Sequence, residues 1–232
     1  MSGAQPLSFV PTLPAEEAAR ASLYGLIARL FYAPPDEQFI SELQLANVDA
    51  RRCLAARRRV ARHGRRFAAP RFRLRSENEH TVLFVGAGKC EVTPYLSHYV
   101  LRHTSDNPLV DLRQLLDSWG IARKEGVAEY EDHITGVCET MRFVIAVQQR
   151  PPEEQKVLFD RFVYRGASAF CNAVSASKDA RFYRLVANFA QGFFDVEKSC
   201  IRDGGIRSQS RFVLNFTGYA LRTIPNRALN RS

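Results

Sequence analysis

The sequence predicts an all-α protein, a single compact helical bundle, on three observations. Apolar residues recur at three- and four-residue steps along most of the chain, the period of one helix face. No segment alternates apolar and polar residues long enough for a strand, and no two-residue hairpin signal appears. The breaks between periodic stretches are mostly short and carry Pro or Gly, as in a bundle with brief connections.

The elements follow in order. Pro6, Pro11 and Pro14 mark an opening loop. A helix begins after Pro14, with Glu16 and Glu17 suited to the positive end of its dipole. Ala19, Leu23, Leu26, Ile27 and Leu30 form its apolar face, and Pro34-Pro35 stops it. Asp36 to Leu45 reads as a second helix with Phe39, Ile40, Leu43 and Leu45 inward. Periodicity returns at Thr81 to Val85, and Gly86 to Thr93 reads as a loop. Pro94 opens a short helix or turn. Leu109, Leu112, Leu115, Leu116 and Trp119 line a helix that Gly120 can cap. Ile134, Val137, Met141, Val144 and Ile145 line the next, which ends before Pro151-Pro152. Glu153 to Val174 follows, with Leu158, Phe159, Phe162 and Phe170 inward, then a helix carrying Phe182, Leu185, Val186, Phe189 and Phe193. Residues 1–203 thus form one domain, and 204–232 a basic, loosely held tail.

With 232 residues, 46% hydrophobic and 25% charged, the chain can bury a sizeable core as an ordinary globular protein. No apolar run approaches the roughly 18 residues of a membrane span, and Met1 to Pro14 has no signal-peptide pattern. The expected address is the cytoplasm. Five scattered cysteines (Cys53, Cys90, Cys138, Cys171, Cys200) form no CxxC and are expected to be reduced and mostly buried.

The net charge of +9 hides an acidic body. Residues 51–75 hold eleven arginines and no acid, and without them the balance is −2. Residues 204–232 add five arginines and no acid, and without both stretches the remainder stands at −7. A basic arm at Arg51 to Arg75 suggests a nucleic-acid-binding protein as the rival reading. Only Phe67 and Phe72 interleave there, and no nucleic-acid motif is present, so nucleic acid is the less favoured partner.

The chemistry-bearing patterns are few. Gly86-Ala87-Gly88-Lys89 lacks the first Gly of a phosphate-binding loop, and Cys90 stands where that loop needs Ser or Thr. It reads as a turn. His63, His80, His98, His103 and His133 show no zinc spacing, so neither metal nor cofactor is expected. No nucleophile–base pair is evident, and no enzymatic activity is expected. Asp132-His133 is open between two roles. Asp132 can sit at or near a helix N-cap, or the pair can join Glu129 and Glu131 as an acidic spot for a partner's arginines.

Two stretches carry a family resemblance. The first runs from Glu79-His80 through Leu83-Phe84 to Thr93-Pro94-Tyr95-Leu96-Ser97-His98-Tyr99; the second is Glu129-Tyr130-Glu131-Asp132-His133-Ile134. Together they resemble the TorD/DmsD family of chaperones for molybdenum- and tungsten-dependent redox enzymes. That family shows an acidic residue and an aromatic before Leu-Phe, then a loop, then Pro-Pro-Tyr/Trp-x-Ser-x-Tyr/Trp, and later Glu-Pro-x-Asp-His-x. Here Thr93 replaces the first Pro and Tyr130 the Pro before Asp-His. Cys138 to Met141 and Ala180 to Tyr183 also look like the family, and the resemblance spans roughly Ala18 to Lys198 except 51–75.

The resemblance implies a bundle of the TorD/DmsD type. It implies a partner, the precursor of a molybdo- or tungsto-enzyme, bound by its twin-arginine leader or as apo-enzyme until the cofactor is inserted. It places Leu83, Pro94, Tyr95, Asp132 and His133 at the client groove, with Tyr99 supporting it from the core and Glu129 beside it. The Gly88-Lys89-Cys90-Glu91 loop and the Phe182-Tyr183 helix are similar to members encoded beside formate dehydrogenase genes. Family members occur as monomers and as swapped homodimers, and both states stand open. Residues 51–75 depart from the family, which has an amphipathic helix there. The abrupt composition shift suits an out-of-frame reading of a GC-rich gene, with paired indels near codons 50 and 76; translating the other two frames tests it.

Overall fold

The structure is a computed structural model describing residues 13–39, 41, 76–86, 90–100, 107–123, 126 and 129–202. The arginine-rich stretch and the tail lie outside these residues. All extended elements among them are helical: α1 (Ala15–Tyr32), α2 (Ser97–Val100), α3 (Pro108–Ser118), α4 (Ile134–Ala146), α5 (Pro152–Leu158), α6 (Tyr164–Ala176) and α7 (Phe182–Arg202). π-helical turns occupy Thr81–Val85 and Phe159–Val163. One isolated antiparallel bridge joins Tyr95 to His133.

Helix α1 starts as its sequence suggests, with Pro14 at the cap and Glu16 and Glu17 in the first turn. Its inward face packs chiefly on α4, while α6 packs on α7. Asp36 accepts from Phe39 N at 2.7 Å, opening helical backbone at 37–39 and 41. The rest of the helix expected to Leu45 lies outside the described residues.

Helix α3 ends as predicted at Gly120, whose φ of 67° suits a residue without Cβ. Gly120 N donates to Asp117 O at 3.0 Å and Ile121 N to Leu116 O at 2.9 Å, the pair of bonds that closes a Schellman motif.

The helix expected over 153–174 contains an unforeseen π turn. Leu158, Phe162, Gly166, Phe170 and Val174, and beside them Phe159, Val163, Ala167 and Cys171, are all buried. Both rows step by four. In a 3.6-residue helix each such step rotates the stripe by about 40°. The wider π turn offsets part of that drift and keeps both rows on the core.

Buried charge ties the two ends of the described chain together. Arg20 pairs with Glu197, whose second carboxylate contact is at 3.1 Å, and with Glu17 at 2.7 and 2.8 Å. It also donates to Gln155 at 3.0 Å. Arg20 is 5% exposed and Glu197 2%. Burial opposes the guanidinium's charge, but Glu197 and Glu17 together hold its pKa above the ordinary arginine value. Such a group survives burial only when its partners are complete.

Candidate functional site

The site begins with a proline. Pro94 has no N–H to donate and keeps Thr93 extended. Its carbonyl accepts from Ile134 N at 2.9 Å, and Leu96 N donates to Asp132 O at 2.9 Å. These two bonds flank Tyr95 and His133, making them a non-hydrogen-bonded antiparallel pair, the arrangement that brings opposite side chains closest. Their rings meet edge-on, centroids 5.4 Å apart. The short helix begins only at Ser97, so Pro94 sits in a bridge rather than at a helix start.

Alternation along this strip sorts its residues. Pro94, Leu96 and Ile134 turn to the core, where Leu96 is 2% exposed and Ile134 fully buried. Tyr95 and His133 take the other face, with Tyr95 half-buried. Gly166 allows the strip to lie against α6. A Cβ there would stand 2.7 Å from Leu96 Cβ.

Asp132 is not the cap of α4. His133 is, accepting from Thr135 N through Nδ1 at 3.2 Å. Asp132, buried, instead accepts from the hydroxyl of Ser97 and from its backbone N at 3.3 Å. It thereby caps α2 across the bridge, while its Oδ1 is buried without a hydrogen-bond partner.

Burial keeps the His133 imidazole below the ordinary histidine pKa despite the opposing charges of Glu129 and Asp132. His80 is lowered for the same reason, burial, against hydrogen bonds to Phe31 and Tyr32 carbonyls. The Tyr95 phenol is pushed up by burial and then by Glu129 and Asp132.

The other expected residues fall behind the strip or on its rim. Leu83 is fully buried in the core, its carbonyl accepting from Val92 N at 2.9 Å. Tyr99 donates to Thr93 O at 2.9 Å and packs edge-on to Phe170 at 6.3 Å, a supporting position. Glu129 is half-buried beside Tyr130. The acidic spot expected from Glu129, Glu131 and Asp132 is divided: Asp132 holds Ser97, and Glu131 holds Arg113 at 3.0 Å and Arg123 at 3.9 Å.

Several contributors were not read from the sequence. Tyr130 is 52% exposed, with its ring 6.0 Å from that of Tyr95. Glu79 accepts from Arg181, Phe182 and Tyr183 N at 2.9, 2.8 and 3.3 Å. It supplies the start of α7 with the anion its own first turn lacks. That role fits the acidic residue noted ahead of Leu83-Phe84. The signal for Arg20 was also present: Glu17, Arg20 and Tyr24 lie on the apolar stripe of α1.

Among the described residues no group of three or more His, Cys, Asp or Glu is arranged to hold a metal, and no helix is long and apolar enough to cross a membrane. Cys138 and Cys171 are buried and free, and burial drives both thiols up, Cys171 to about 12.

Residues 54–191 match the family described as nitrate reductase delta subunit. The matched span opens inside the arginine-rich stretch and closes within α7. Among solved structures, the chain is similar to a proposed redox enzyme maturation protein of Archaeoglobus fulgidus. The likeness has 16% identity and a TM-score of 0.42, over 84% of this chain and 99% of that one. No curated protein matches. The chain belongs to the nitrate reductase delta subunit family, the TorD-like chaperones of redox-enzyme maturation.

Proposed function

We propose that this chaperone binds the precursor of a molybdenum- or tungsten-cofactor oxidoreductase. It holds the twin-arginine leader, the apo-enzyme or both in the cytoplasm until the cofactor is inserted, before export or assembly. Residues 1–203 form the chaperone domain, without catalytic chemistry of their own. Nitrate reductase, from the family's description, and formate dehydrogenase are the client classes to test first.

One observation carries the reading. The two motif segments, 35 residues apart, are zipped into a single strip by Asp132 and Ser97. Its outer face offers Tyr95, Tyr130 and Glu129, an aromatic and acidic surface suited to a guanidinium and an apolar run. Asp132 and His133 act mainly by shaping this face and setting its sign, Tyr99 and Leu83 by supporting it. An arginine-bearing leader would order on this face as it binds.

The test is a titration of the full chain with a labelled peptide carrying consecutive arginines before an apolar stretch. A double-lysine counterpart should bind about tenfold more weakly, since an ammonium can neither fork onto a carboxylate nor stack. Equal affinity for the two peptides, or for an unrelated apolar peptide, would sink leader recognition. Recovery of an oxidoreductase precursor from native cytoplasm would then name the client.

A further inference from the structure

We propose that Arg113 and Arg123 are internal occupants of the client's guanidinium site, and that a client's arginine pair binds by displacing them. The inference rests on the leader reading above. Arg113 reaches in from α3, its Nη2 3.0 Å and its Nε 3.1 Å from Glu131 Oε2. Arg123, just beyond the Gly120 stop, stands 3.9 Å from Glu131 Oε1 and donates to Glu129 O at 3.2 Å. Both guanidinium carbons lie over the Tyr130 ring, 5.7 and 5.9 Å from its centroid.

One carboxylate and one aromatic ring therefore hold two guanidiniums of the chain itself. The arrangement gives a guanidinium a carboxylate within reach of two of its nitrogens and an aromatic ring beside it, a combination that suits arginine better than lysine. Glu131 and Tyr130 are thus a working arginine site, already filled. The grip is also releasable. The side chains of Arg113 and Arg123 are 42% and 39% exposed, where water and salt leave ion pairs weak. A client with two arginines linked in sequence replaces both occupants in one event and gains from effective concentration after the first lands. A client with a single arginine displaces one and leaves the other competing.

The test compares affinities of the Arg-Arg peptide for the full-length wild type and for Arg113→Gln/Arg123→Gln. Removing the occupants should tighten binding about threefold to tenfold. Adding Glu131→Gln to that background should abolish the gain, because the carboxylate they vacate is then gone. An Arg113→Lys/Arg123→Lys variant guards against misfolding. It keeps both charges but loses fork and stack, and should tighten binding by about twofold or more.

Unchanged or weaker binding in both double variants, with the wild type still preferring the Arg-Arg peptide, overturns the inference and leaves the leader reading standing. Persistence of the gain without the Glu131 carboxylate overturns it as well. Loss of any Arg-Arg over Lys-Lys preference in wild type and variants alike removes the leader reading, and the inference with it.

Discussion

The carboxylate of Asp132 accepts both the hydroxyl and the backbone N–H of Ser97, 35 residues earlier. This contact fastens the two motif segments side by side, and its removal separates charge from scaffold. Asp132→Asn keeps an acceptor for Ser97 and should cost about 1 kcal/mol, whereas Asp132→Ala leaves the part-buried Ser97 donors unmet and should cost about 2 kcal/mol. Both should weaken the Arg-Arg peptide, the Asn variant through the lost charge. Urea unfolding and peptide titration measure the two effects. Intact peptide binding in Asp132→Asn would make the residue purely structural.

His133 and His80 both have pKa values below the ordinary histidine value because burial, nearly complete for His133 and partial for His80, opposes their charged forms. The unfolded chain therefore takes up their protons first as pH falls. Stability should be level well above about pH 6.5, where both states are neutral, and should decline as pH falls through that value until the folded values are reached. His133→Asn keeps an N-cap acceptor for Thr135 and removes one titrating group. Its melting temperature should fall less between pH 7 and 5 than the wild type's, and an unchanged slope would exclude His133 as a contributor.

Glu79 supports the start of α7 from 103 residues away. Glu79→Ala should cost about 2–3 kcal/mol, because charge-assisted bonds to buried N–H groups are among the stronger ones. Glu79→Gln should cost roughly half as much. Hydrogen exchange at Phe182 and Tyr183 should quicken in both variants. A variant as stable as the wild type would show that α7 starts without this anion.

Gly166→Ala tests how the strip is seated. Helix propensity favours Ala by about 1 kcal/mol, but the new methyl would meet Leu96 Cβ at 2.7 Å. Overpacking of this kind costs about 1–3 kcal/mol, so a net loss of about 1 kcal/mol is expected. Peptide affinity should fall too, since Leu96 lies between Tyr95 and Ser97. A more stable variant with normal affinity would show that the strip can shift at no cost.

By itself the sequence determined the apolar faces of the described helices and the Gly120 stop, because these depend on neighbours three and four residues away. It also carried the residues of the candidate site, as two short motifs. Only the tertiary structure decided how those residues divide their work. Asp132, open between a cap of its own helix and an acidic spot for a partner, became the cap of α2, Leu83 went to the core, and Glu131 was claimed by Arg113 and Arg123. The same holds for Glu79 at α7 and for Arg20, which meets Glu197 across 177 residues. The physical reason is that a buried polar group must find a partner wherever packing brings one, and no local period records which distant residue that will be.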